Sequence, residues 1–238
     1  MKNIFNIIIV FALMLSGVRA DAQTPDALWK GVGGKSKWDS TNYILFTANG
    51  RSMDSLGNAR KFLINKKSGQ VRFEGQSSEG NQLVALFNFK SHKLTKLSRG
   101  GQELKATNEE STALFTLINK QFQRDASFIF LPVLLENANT TKGTETSKIV
   151  NSEKLQAFSF ELNNNTLSGE ILYNPETGQI KQVIDQSGNE YFVNNYKDIG
   201  GGLILPTTFK SMSMQGNNAT YTTVAAFTEM EESKFTSL

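Results

Sequence analysis

Apolar residues alternate with polar ones over most of this chain, and the alternation breaks near the start and again in the middle. A period of two sends successive side chains to opposite faces, so the alternating runs predict half-buried β-strands. In the first half they cover Asn42 to Arg51, Arg60 to Lys66, Gln70 to Glu74, Gln82 to Phe89 and Lys93 to Leu97. The links between them, Asp54 to Asn58, Lys67-Ser68-Gly69, Ser77 to Asn81 and Ser91-His92, are turn-forming and too short for a parallel crossover. An antiparallel meander follows. Period two returns at Leu155 to Leu162, Leu167 to Tyr173, Gln179 to Asp185, Glu190 to Tyr196, Leu203 to Met214 and Ala219 to Phe227, again with hairpin-like connectors.

The breaks have helical spacing. Thr24-Pro25-Asp26 offers a cap, a first-turn proline and an acid ahead of Leu28, Trp29 and Val32, and Gly33-Gly34 is a stop. In the middle, Thr107 and Glu110 form a capping box with Thr107 as the cap, and Leu114, Leu117, Ile118 and Phe122 recur at helical spacing. Arg124-Asp125 then precedes the apolar run Phe128 to Leu135, which Pro132 should kink or restart. Asn137 to Ser147 reads as a polar loop. Together these features predict an α+β fold: one strongly curved antiparallel sheet of about eleven strands, an open, incomplete β-barrel, with helices on its concave face. The rival arrangement is two smaller antiparallel domains divided near residue 100.

Ahead of these elements, Met1 to Asn3 is positively charged, Ile4 to Leu15 is almost unbroken apolar sequence, and the segment closes on Ala20-Asp21-Ala22. This is the layout of a cleaved secretory signal over residues 1–22, leaving 23–238 as the mature unit. A membrane anchor is the alternative, but the apolar run is short beside the roughly 20 residues that span a bilayer. The expected product is soluble, periplasmic or secreted, with at most transient membrane contact.

Composition removes several chemistries. There are 25 Lys and Arg against 22 Asp and Glu, interspersed along the chain, so no basic face for nucleic acid is evident. The absence of cysteine excludes disulfides, thiolate metal sites and Cys nucleophiles, and His92 alone cannot make a multi-His metal site. No G-x-S-x-G elbow is present, and Asp125, Glu161, Glu170 and Asp185 have no context that pairs them as acid and nucleophile. A non-enzymatic protein without metal or cofactor is expected. Gly200-Gly201-Gly202 leads into a strand rather than a helix and reads as a bulge or tight turn instead of a phosphate loop.

Three segments carry a family resemblance: Lys66 to Glu74 (KKSGQVRFE), Tyr173 to Ile180 (YNPETGQI), and Tyr196 to Gly202 followed by Leu205-Pro206. With the order of elements, they resemble the periplasmic outer-membrane-lipoprotein carriers, the LolA-like and LolB-like proteins. Gly33-Gly34 followed by Trp38 is closer to secreted LolA-like relatives of unassigned function. The resemblance implies an eleven-stranded open barrel holding a hydrophobic cavity under a helical lid. It also implies noncovalent binding or carriage of a lipid, an acyl chain or a lipidated protein. Phenylalanine outnumbers tyrosine and tryptophan, 17 against 5 and 2, which favours an apolar lining over a sugar platform.

Candidate wall and lid residues are Trp29, Phe46, Phe62, Phe73, Leu114, Phe115, Ile118, Phe122, Phe128, Phe130, Leu131, Leu134, Phe158 and Phe160, with Arg51 and Arg72 at a polar mouth. The competing account makes the helical run ordinary core, leaves both arginines and His92 on solvated surface, and recruits an envelope protein partner through an exposed strand edge. The signal reading predicts a secreted form that begins within a residue or two of Gln23. N-terminal sequencing checks it, and a stable membrane-embedded form retaining Met1 refutes it.

Overall fold

The computed structural model describes residues 27–50, 56–163, 165–212 and 218–238; the signal segment and Arg51 lie outside them. Two short helices, α1 (Ala27–Gly31) and α2 (Lys35–Ser40), precede strands β1 (Tyr43–Gly50), β2 (Arg60–Asn65), β3 (Gln70–Gln76), β4 (Gln82–Asn88), β5 (Lys93–Arg99) and β6 (Gln102–Leu104). Helices α3 (Glu109–Ile129) and α4 (Leu131–Leu135) follow. The chain then forms β7 (Thr141–Lys142), β8 (Thr146–Val150), β9 (Glu153–Glu161), β10 (Ser168–Tyr173), β11 (Ile180–Asp185), β12 (Glu190–Asp198), β13 (Ile204–Ser211), β14 (Ala219–Phe227) and α5 (Ser233–Thr236).

All these strands belong to one antiparallel sheet in the order β6-β5-β4-β3-β2-β1-β14-β13-β12-β11-β10-β9-β7, with β8 also paired to β9. The two halves meet at its middle, where β1 pairs with β14 from Tyr43↔Phe227 to Gly50↔Ala219. This corrects the eleven-strand, strongly curved open barrel: among the described residues the sheet has 14 strands, it does not close into a barrel, and it is not strongly curved around the helices. Barrel closure needs a staggered ladder between the end strands. Here β6 lies at one end of the path and β7 with β8 at the other. Two of the added strands, β7 and β8, begin in the stretch expected to be a polar loop. They form because edge pairing requires main-chain groups rather than an apolar face.

One sheet face carries the core. Ile44, Phe46 and Ala48 of β1 point into it at alternate positions, as do Val71 and Phe73 of β3, and all are buried. α3 crosses this face and presents Ile118, Phe122, Asp125, Phe128 and Ile129, one helical stripe. Its cap is Asn108 rather than Thr107; the Asn108 side chain accepts from the Ser111 amide at 2.6 Å. Helical hydrogen bonding also runs past Arg124-Asp125 to Ile129. Pro132 sits in the first turn of α4, and the Leu134 amide still donates to the Phe130 carbonyl at 2.9 Å, so the helical path bends there without being lost.

α1 and the link after it dock by backbone contact. A Cβ at Gly31 would collide with the Gly178 carbonyl in the β10–β11 turn, and one at Gly33 with the Gly202 carbonyl in the β12–β13 turn. Gly202 has φ 82°, so the glycine triplet makes a left-handed turn that leaves room for this approach.

Arg60, at the start of β2, and Asp125 of α3 form an ion pair whose side chains are 1% and 5% exposed. Arg60 Nε and Nη2 donate to the two carboxylate oxygens at 2.8 and 3.2 Å. Nη1 donates to the carbonyls of Asn58, Gly50 and Gly57 at 2.6, 3.3 and 3.4 Å. Gln121 donates to Asp125 Oδ1 at 2.9 Å, and the Tyr221 hydroxyl of β14 donates to the Asp125 carbonyl at 2.7 Å. Burial pushes the Asp125 carboxyl up, against the opposing pull of Arg60 and Gln121.

Removing one member strands the other charge, so Asp125→Ala should cost about 3–5 kcal/mol of stability. Arg60→Met combined with Asp125→Leu should recover most of that loss. Denaturant midpoints of the two single variants and the double variant measure the coupling, and additive losses would refute it.

Candidate functional site

An apolar cavity of about 370 Å³ opens where α2, the α3–α4 junction and the ends of β2 and β4 converge. Its walls are Trp38, Ile64, Phe89, Phe122, Ala126, Phe130 and Leu134; Lys66, His92, Gln123 and Ser127 supply the polar groups. The α3–α4 bend brings Phe130 and Leu134 to the same space as Phe122, two turns earlier. Trp38 stands edge-on to Phe130 with ring centroids 5.6 Å apart, and Phe122 meets Phe89 at 6.0 Å.

Lys66 is the cation in this lining. Its ammonium donates to the carbonyls of Trp38 and of Thr41, the latter at 2.8 Å, and lies 3.8 Å above the centre of the Trp38 ring. Among the described residues no carboxylate pairs with it. Asp39 exerts an attraction from α2 but is held by Lys35 at 2.5 Å. Burial lowers the Lys66 pKa to about 8, with Asp39 opposing the shift. His92 is exposed at the rim, its Nδ1 3.5 Å from Gln123 Nε2, and Ser127 donates to the Gln123 carbonyl at 2.6 Å.

Of the expected wall and lid residues, Phe122, Phe130 and Leu134 line this cavity. Phe128 borders a separate, more polar cleft of about 540 Å³ with Lys120, Arg124, Thr166 and Asn189. Phe46, Phe62 and Phe73 form a continuous aromatic row, with Phe46–Phe62 and Phe62–Phe73 centroids both 5.2 Å apart, and are fully buried as core. Ile118, Leu131, Phe158 and Phe160 are likewise buried in the core, and Trp29, Leu114 and Phe115 pack partly exposed against it.

Arg72 does not line this cavity; with Leu45, Leu63, Phe227 and Met230 it borders a separate cleft of about 200 Å³. It projects from the other sheet face, pairs with Glu74 at 2.6 Å and donates to the Ser237 carbonyl at 2.6 Å, which ties down the C-terminal segment beside α5. Phe235 of α5 is buried there and stacks on Tyr43 at 5.9 Å. Arg51 lies outside the described residues. The carboxylates weighed as acid and nucleophile are dispersed: Asp125 serves Arg60, Glu170 binds Lys148 at 2.7 Å, and Asp185 accepts from the amides of its own turn. Among the described residues no group of three or more His, Asp or Glu could hold a metal.

Sequence periodicity missed Trp38, Ile64, Lys66, Phe89 and Ala126 as neighbours of this space. Trp38 rides on α2, whose sequence KSKWDS has a single large apolar residue and no periodic signal. Ile64 and Lys66 could have been placed only by register with β1 and by knowing where α2 packs.

The lowered pKa of Lys66 has a consequence for stability. Between about pH 8 and the pKa of an unfolded lysine, roughly 10.4, the unfolded chain binds more protons here than the folded one, so this residue makes stability rise with pH. Tyr173, Tyr196 and Tyr221 are pushed up by burial and act in the opposite sense above about pH 10. Between pH 8 and 9.5 the denaturant midpoint of the parent should rise relative to that of Lys66→Met. Parallel pH profiles would show that the fold does not disfavour the charged lysine.

No family model and no curated protein matches this chain. Among solved structures, it resembles a DUF1329 family protein from Desulfovibrio piger at 10% identity and a TM-score of 0.45, over 88% of this chain and 94% of that one. It also resembles a domain from Vibrio parahaemolyticus named for outer membrane lipoprotein sorting, at 8% identity and a TM-score of 0.34, over 84% of this chain and 93% of that one. Both are distant likenesses.

Proposed function

We propose that this protein binds or carries an acyl chain noncovalently, as a lipid or as part of a lipidated protein, in the periplasm or outside the cell. The observation that carries the reading is the cavity of about 370 Å³ between α2 and the α3–α4 bend. Its volume falls in the range of about 300–1,000 Å³ usual for small-ligand sites, and its walls are apolar with a few polar groups at one side. Removal of alkyl surface from water supplies most of the affinity. The N-terminal segment is consistent with export. No helix among the described residues is long and apolar enough to cross a membrane.

The outer strand β8 supports a second reading. It is paired on one side only, to β9, and Ile149 on it is 79% exposed. Such an edge suits β-augmentation by an extended segment of an envelope protein.

Ala126 is the small residue in the cavity wall, and Ala126→Phe should fill the space from the α3 side. Binding of a fluorescent acyl probe should fall by at least about tenfold, while the midpoint of unfolding moves by no more than the roughly 1–3 kcal/mol of an overpacked site. Unchanged probe affinity in folded Ala126→Phe protein would remove this cavity from the function.

A further inference from the structure

We infer that the ligand is a single-chain carboxylate, a fatty-acid anion whose alkyl chain lies among Trp38, Phe122, Phe130 and Leu134 and whose carboxylate sits on the Lys66 ammonium. This rests on the acyl-binding reading and narrows it to a head group. The Lys66 ammonium has three N–H donors, and the carbonyls of Trp38 and Thr41 take two. No carbonyl takes the third among the described residues, and the ammonium stands over the Trp38 ring in the lining of the cavity.

The site is also short of negative charge. A half-buried ammonium beside apolar walls is costly unless a counter-charge accompanies it, and the carboxylate that acts on it, Asp39, makes no ion pair with it and is exposed to solvent beside Lys35. The Trp38 ring beneath the ammonium and the two carbonyls stabilise positive charge without cancelling it. An arriving carboxylate completes the site with a charge-assisted hydrogen bond in partly desolvated surroundings. A neutral alcohol or ester of the same chain length fills the same apolar volume and gains no such bond. With a pKa near 8, Lys66 is cationic at neutral pH, as the pairing requires.

Calorimetric titration of the full mature chain with decanoate and with decanol at pH 7, both below their aggregation concentrations, separates head from tail. Decanoate should bind about tenfold or more tightly than decanol. Lys66→Met should erase that preference while keeping decanol affinity, and Lys66→Arg should retain it. Equal binding of the two ligands to the parent overturns the carboxylate assignment and leaves the acyl cavity standing. A preference that survives in Lys66→Met also overturns it. If neither ligand binds the parent, both the assignment and the cavity reading fall. Should Lys66→Met not fold, the acid-to-alcohol ratio of the parent decides the matter alone.

Discussion

The contact between Arg60 and Asp125 fixes how the helical layer sits on the sheet. A charged pair at this depth is no bargain in free energy, because both ions surrender most of their hydration. It does restrict geometry. Arg60 spends all the donors assigned to it on the two Asp125 oxygens and on three backbone carbonyls, so α3 can neither slide along β2 nor rotate without leaving charge unpaired. Tyr221 adds a hold from β14, the strand that joins the two halves of the sheet through β1. Apolar packing alone would tolerate several rotations of a phenylalanine-rich helix over a phenylalanine-rich face. The polar cluster selects one.

With that rotation set, the rest of the inner face divides into two regimes. Toward β3 and β4 the aromatic row packs ring on ring: Phe62 meets Phe122 at 5.3 Å, and Phe87 meets Phe115 and Phe122 at 5.5 Å. Just beyond Asp125 the packing changes. Ala126 removes side-chain volume from the helix surface, the α3–α4 bend carries Phe130 and Leu134 sideways, and the wall opposite is shared by Trp38 of the short helix α2 and Ile64 at the end of β2. The cavity is therefore the space left between a pinned helix and a lightly held one.

The sequence pattern located the eleven longer strands because each has one face in the core and turn-forming residues at its ends. It missed β6, β7 and β8, whose residues are mostly exposed and whose pairing rests on backbone groups that have no apolar signature. It placed the cap of α3 one residue early because Thr107 and Asn108 are both competent caps, and only the folded backbone decides which side chain reaches Ser111. The helical spacing carries only to Phe122, short of Arg124-Asp125. Asp125 is in fact buried against a partner 65 positions earlier, a coincidence no local pattern carries. Phe122, Phe130 and Leu134 were legible as a helical apolar group, but separating cavity wall from closed core depended on where α2 lies, and α2 itself left no periodic trace.

That same helix determines how a ligand could enter. α3 is held by the buried ion pair and by Tyr221, and α4 buries Leu131, Val133 and Leu135. α2 has no buried residue and no side-chain cap at its N-terminus, so its local opening costs less than that of any other wall. What secures it is the Trp38 ring against Phe130 and Lys66 reaching back to the carbonyls of Trp38 and Thr41. Lys66 is thus both the tether of α2 and the positive charge at the cavity. The carboxylate proposed for this site would not have to break the tether, because the two carbonyls take only two of the three ammonium donors. In the proposed reading, bound ligand and docked α2 would reinforce one another through a single ammonium.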